Sequence, residues 1–117
     1  MPTVMGEFEQ LLLLAVLRLG DDAYGVTIRQ AIQDATGRDV AAGAVYTALG
    51  RLEQRGLVSS RPGDTAPERT GMRRRYYKVK PEGARRVYRA YQDLQAMAQG
   101  VVPQMARLAA RRSGGRG

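Results

Sequence analysis

The sequence has no cysteine, no histidine and no tryptophan. Without cysteine there is no disulfide framework, no thiolate nucleophile and no soft metal ligand, and without histidine there is neither an imidazole ligand nor the commonest general base. The carboxylates form no obvious catalytic pair, and no glycine-rich phosphate loop follows a strand. The nucleophile-and-base logic of most enzymes therefore lacks its parts, so no catalysis, cofactor or metal is expected. Long apolar runs are also scarce. The longest, Leu11 to Leu17, stops at Arg18, far short of the roughly 20 residues a membrane span needs. Met1 to Gln10 carries no Lys or Arg ahead of its apolar stretch, unlike a secretory signal, and the expected location is the cytoplasm, with no membrane partner.

What is present is an ordinary globular composition, 44% hydrophobic and 26% charged over 117 residues, a length that suits one modest core. The net charge of +8 is unevenly spread. Met1 to Leu57 holds five basic and seven acidic residues, whereas Val58 onward holds fourteen basic and four acidic. The first part is thus −2 and the second +10. Such asymmetry is expected of a chain that approaches a polyanion with one surface, although basic surfaces also meet membranes, RNA and acidic proteins.

Phe8, Leu11, Leu12, Ala15 and Leu19 follow helical spacing, and Leu13, Leu14, Val16 and Leu17 make the other faces of that helix apolar too. A small domain has little interior in which to enclose such a helix, which points to contact with a second copy. Gly20 to Asp22 ends it. Tyr24, Ile28, Ala31, Ile32 and Ala35 trace a second helix stopping at Gly37, and Val45, Ala48, Leu49 and Leu52 a third ending at Gly56, where a C′ glycine belongs. Leu57–Arg61 and Arg74–Val79 read as a two-stranded hairpin with a long Gly, Pro and Asp-bearing tip over 62–72.

Pro81 opens a final helix, with Lys80 a poor cap because it offers no acceptor. Its apolar positions Ala84, Val87, Tyr91, Leu94, Ala98, Val101, Met105 and Leu108 repeat at intervals of three and four, a heptad seam. A core-facing helix would share that spacing, but the seam outlasts what a domain this size covers, so helix-to-helix homodimerisation is expected. Gly100 and Pro103 predict a kink or break. The division expected is a DNA-binding domain over 1–80, a dimerisation helix over 81–110 and a disordered basic tail over 111–117.

Three helices, a hairpin and a long helix make a mainly α fold with a small hairpin (α+β), the order of a winged helix-turn-helix. The wording is more specific. Gly6 to Leu19, Tyr24-Gly25, Gly43-Ala44-Val45-Tyr46 with Leu49, Leu52 and Glu53, Gly56-Leu57-Val58, Arg74-Arg75-Tyr76-Tyr77 and Pro81-Glu82-Gly83 together resemble the PadR family of transcriptional regulators over nearly the whole chain. The resemblance implies a cytoplasmic, homodimeric repressor on double-stranded DNA, paired through the first and last helices, and in some members answering to a small aromatic effector. Two departures stand out. Lys80 sits where the family often has Thr, and the single final helix resembles its short-tailed branch.

On that frame the third helix enters the major groove. Ala42, Gly43 and Ala44 at its start let backbone N–H groups approach a phosphate, although helix propensity would choose the same residues. Tyr46 stands where the family pattern places a backbone-contacting tyrosine, the alternative being core packing. Thr47 can touch a base edge, and Arg51 and Gln54 lie one to two turns further on. Direct reading of bases is therefore expected to be thin, with DNA shape and the hairpin contributing specificity. The expected contact set is completed by Tyr24, Arg61, Arg69, Arg73, Arg74, Arg75, Tyr77 and Lys78; either Tyr76 or Tyr77 should pack inward, and the arginines are also what a solvated face would show. The expected dimer set is Phe8, Leu11 and Leu12 with Tyr88 and the seam residues. A small aromatic effector is expected, if anywhere, at that interface among Met5, Tyr88, Tyr91 and Met97, against plain interface packing; without tryptophan there is no indole for a drug to stack on. The competing reading is a winged helix that binds RNA or docks a protein, since one fold serves many functions.

Overall fold

A computed structural model describes residues 5–63 and 74–111. The helical periods fold as α1 (Glu7–Leu19), α2 (Gly25–Thr36) and α3 (Ala42–Gln54), with a single 3-10 turn, Gly20–Asp22, after α1. Each stop has a local cause. Gly37 takes the left-handed conformation after α2. After α3, Gly56 (φ 76°) does the same: its N–H bonds the Glu53 carbonyl at 3.0 Å, and the Leu57 N–H bonds the Leu52 carbonyl at 2.9 Å. This paired closure satisfies carbonyls that the helix end leaves open, and it turns the chain into β1 (Val58–Pro62).

β1 pairs antiparallel with β2 (Arg75–Val79), Val58 opposite Val79 and Arg61 opposite Tyr76. The strands lie within a residue of the expected spans; most of the expected tip, from residue 64 on, falls outside the described residues. One pairing had no sequence signal. Tyr24 forms an isolated bridge to Tyr76, and the Tyr77 N–H donates to the Ala23 carbonyl at 2.8 Å, so the start of α2 acts as a one-residue third strand.

The core gathers between α1, α2, α3 and the base of the hairpin. Leu12, Leu13, Ile28, Leu49, Leu52, Leu57, Val45 and Val58 are fully enclosed, each large apolar side chain contributing about 1.5–3 kcal/mol. Enclosing Leu12, Leu13, Ala15 and Val16 explains most of the all-round apolar character of α1, leaving Leu14 and Leu17 exposed.

α4 (Pro81–Ala98) has no side-chain cap, as Lys80 leads one to expect. Its start borrows backbone instead: the Lys80 N–H bonds the Leu57 carbonyl at 2.9 Å, and Gly83 lies so close to that carbonyl that a Cβ there would overlap it. Only the first turns of α4 reach the core, through Gly83 and Val87. The expected break is present. α4 ends at Ala98, Gly100 takes φ 85°, and α5 (Val102–Ala109) begins with Pro103 in its first turn, where its missing N–H leaves no bond unmade. The final helix is thus two helices. Because α4 and α5 project from the head, the radius of gyration is 17.2 Å, against about 13 Å for a compact chain of this length. No helix among the described residues is long and apolar enough to cross a membrane.

Candidate nucleic-acid interface

α3 buries Val45, Ala48, Leu49 and Leu52, and helical geometry then turns Gly43, Tyr46, Thr47, Gly50, Arg51 and Gln54 outward. Ala42 and Ala44 are exposed as well. No side chain caps the start of this helix, so its leading N–H groups and dipole are available to an anion. A Cβ on Gly43 or Gly50 would meet nothing within 4 Å. Packing inside the protein does not require glycine at either place.

Tyr46 is neither buried nor detached. It is 51% exposed, and its ring lies against α2 so closely that a Cβ on Gly25 would overlap it. Beside it, where the starts of α2 and α3 meet, is a notch of about 150 Å³ lined by Gly25, Val26, Arg29, Gln30, Gln33, Ala42 and Tyr46. The α2 start is ordered by Thr27, whose Oγ1 accepts from the Tyr24 N–H at 3.0 Å.

The hairpin stands next to this surface, and its pairing sorts its side chains. Val58, Ser60, Arg75, Tyr77 and Val79 share the inner face; Ser59, Arg61, Tyr76 and Lys78 share the outer. Tyr77 was expected at the DNA, and the structure corrects that: it is only 6% exposed and belongs to the core. Burial, followed by the nearby Glu53 carboxylate, holds its phenol above the usual value. On the same inner face Ser60 Oγ donates to the Glu53 carboxylate, with oxygens 2.8 and 3.0 Å away, and accepts from Arg75 Nε at 3.0 Å. This chain ties the end of α3 to both strands and fixes the angle between them.

On the outer face the Tyr24 and Tyr76 rings meet at 5.2 Å between centroids. The Arg61 guanidinium lies 5.0 Å from the Tyr76 ring centre and that of Arg74 lies 4.5 Å from the Tyr24 ring centre. Lys78 stands 3.8 Å from Asp21 at the exposed surface. Arg69 and Arg73 lie outside the described residues.

Elsewhere the cations are paired close to home. Arg38 bonds Glu7 in two places, at 3.0 and 3.1 Å, which holds that exposed carboxyl below its usual value. Arg55 pairs with Glu9 at 2.7 Å. On α4, Arg85 and Arg86 share Glu82, and Arg89 takes Asp93. Part of the second half's excess charge is therefore balanced along α4.

The expected dimer set separates in two. Tyr88, Tyr91, Leu94, Val101, Met105 and Leu108 are exposed along α4 and α5, with Ala98 half-buried. Phe8, Leu11 and Ala84 are also half-buried, whereas Leu12 and Val87 are enclosed in their own core and have no surface left for a partner. Met5 is enclosed too, whereas Tyr88, Tyr91 and Met97, the other residues expected around an effector, are exposed. Among the described residues no group of His, Cys, Asp or Glu is arranged to hold a metal.

Residues 13–89, spanning α1 to the first half of α4, match the profile of the Transcriptional regulator PadR-like family. The chain belongs to the PadR family. Solved structures overlay it over most of its length. A transcriptional regulator from Clostridium thermocellum superposes with a TM-score of 0.64 at 26% identity, covering 80% of this chain and 87% of that one. A PadR family transcription regulator from Clostridium difficile R20291 gives 0.64 at 24% identity, covering 85% and 98%. A transcriptional regulator from Thermoplasma acidophilum, described as putative in its own structure's name, gives 0.63 at 19%, covering 87% and 93%. No curated protein sequence matches. The fold is accordingly the PadR winged helix, an α+β arrangement, and the chain is a member of a family of transcriptional regulators.

Proposed function

We propose that this PadR protein is a DNA-binding repressor that acts as a homodimer on an inverted-repeat operator, in the cytoplasm and without catalysis of its own. The observation that carries the reading is the continuity of one surface. The outward side and uncapped start of α3, the start of α2, and the basic outer face of the hairpin adjoin one another.

Physical chemistry gives that surface its use. Helix starts and arginines favour phosphate, and a narrow helix with glycine at two outward positions can lie close to a groove floor. Gly50, inside the helix, costs it about 1 kcal/mol against alanine, and a Cβ there or on Gly43 would meet nothing within 4 Å. Base reading then rests on Thr47, Arg51 and Gln54, the polar side chains that α3 turns outward with Tyr46. Pairing through α4 and α5 is supported by a run of exposed apolar side chains with no described residue of the chain enclosing them, a rarity on soluble monomers.

Competition between a random duplex and a structured RNA, read by anisotropy of a labelled duplex, tests the first part. The duplex should win, with affinity falling steeply as salt rises. Equal competition would favour the RNA or protein-docking alternative. Sedimentation of the protein alone tests the second part, and a monomer at micromolar concentration would remove the dimer.

A further inference from the structure

Gly25 opens α2 on an ordinary helical backbone; the glycines of positive φ among the described residues are Gly20, Gly37, Gly56 and Gly100. Any residue can adopt that backbone, so the reason for glycine lies in its surroundings. What surrounds it is Tyr46. A Cβ built on Gly25 would overlap the phenol oxygen and the adjoining ring carbons, the oxygen most of all. The tip of the ring therefore fills the space a side chain would take, and Gly25 is buried. Tyr46 itself stays 51% exposed on the outward side of α3, so the fit does not serve to enclose it.

The fit carries the phenol oxygen from α3 across to the start of α2, at the edge of the notch whose polar lining is Arg29, Gln30 and Gln33. Other contacts already hold this corner together. Arg29 Nε donates to the Val40 carbonyl and a terminal nitrogen reaches Asp39 at 3.3 Å, tying α2 to the segment that leads into α3. The start of α2 is ordered separately through Thr27.

We propose that Gly25 is a positioning residue for DNA binding, its missing Cβ letting the Tyr46 ring lie against α2 so that the phenol hydroxyl meets one phosphate at the starts of α2 and α3. The inference rests on the DNA-binding reading above and adds to it a role for a residue that need not touch DNA. A ring already seated gives up no rotamer freedom on binding, and its hydroxyl makes a charge-assisted bond to a phosphate oxygen. A methyl group at position 25 displaces the ring and the hydroxyl with it. Because the contact is uncharged on the protein side, it releases no counterion.

The test measures affinity for a labelled duplex at several salt concentrations, with thermal melting of each variant alongside. Tyr46→Phe keeps the ring and loses the donor. It should bind about five- to tenfold more weakly, with melting and the salt slope unchanged. Gly25→Ala should lose about as much, with little change in melting, because what must move is the far end of a side chain. Combining the two should cost no more than the larger single loss, since both remove one contact. Tyr46→Phe binding equal to the parent would overturn the inference, and it does so even should Gly25→Ala fail to fold. Gly25→Ala binding equal to the parent would overturn it too. So would losses that multiply in the double variant, as they would if the added methyl met DNA directly; each of these leaves DNA binding intact. A parent protein that ignores duplex even in dilute salt would overturn the underlying reading and this inference together.

Discussion

Between Met5 and Val87 most large apolar side chains are enclosed, with Leu14, Leu17, Val26 and Tyr46 the exposed ones among the described residues. Between Tyr88 and Leu108 every large apolar side chain is exposed, Leu94 at 64% and Met97 at 80%. Both regions are helical and both carry apolar residues at helical spacing. The difference is the presence of a partner within the chain: α1, α2, α3 and the hairpin cover one another, while α4 leaves the head after about two turns and α5 has no buried residue. Amphipathic spacing says that a helix wants cover. It does not say whether the cover is intramolecular.

The contrast can be broken most forcefully in the head. Leu49→Ala removes a fully enclosed side chain and should lower the unfolding free energy by about 2–5 kcal/mol, measured by urea denaturation. The matched change in the projecting region behaves differently. Leu94→Arg should leave the circular dichroism spectrum intact, yet convert the sedimenting species to a monomer and weaken operator binding on the order of 100-fold through lost avidity.

Where the two regions join, Gly83→Ala forces a Cβ into the Leu57 carbonyl. It should cost about 1–3 kcal/mol, because backbone is what must move. The smallest effect concerns Tyr77. Its native phenol resists ionisation, so below the ordinary value of about 10 both folded and unfolded forms are neutral and the full stability is present. As pH rises from there through the raised native value, the unfolded chain loses its proton first and stability falls. Tyr77→Phe should flatten that alkaline decline in melting temperature.

Much of the fold was legible in residue order. Gly37 and Gly56 mark two helix ends, Pro81 a helix start, and Gly100 with Pro103 the break, because each acts through its own backbone. Facing is harder. Alternation puts Arg75 and Tyr77 on one side and Tyr76 and Lys78 on the other, but only the pairing with Ala23 and the approach of α3 decide which side is inner. That is why Tyr77 was placed at the DNA and Leu12 and Val87 at the dimer. The Tyr24 and Tyr76 bridge is one residue long and has no periodicity to find. The Glu53, Ser60 and Arg75 chain joins residues with no pattern between them, and Gly50 lacks any signal beyond being a glycine inside a helix.

The most direct test of the account is hydroxyl-radical footprinting on a duplex selected by the protein from a random pool. A head that reads DNA, doubled by pairing of the projecting helices, should protect two patches related by a two-fold axis, their centres about 34 Å apart. A single patch without two-fold symmetry would contradict it.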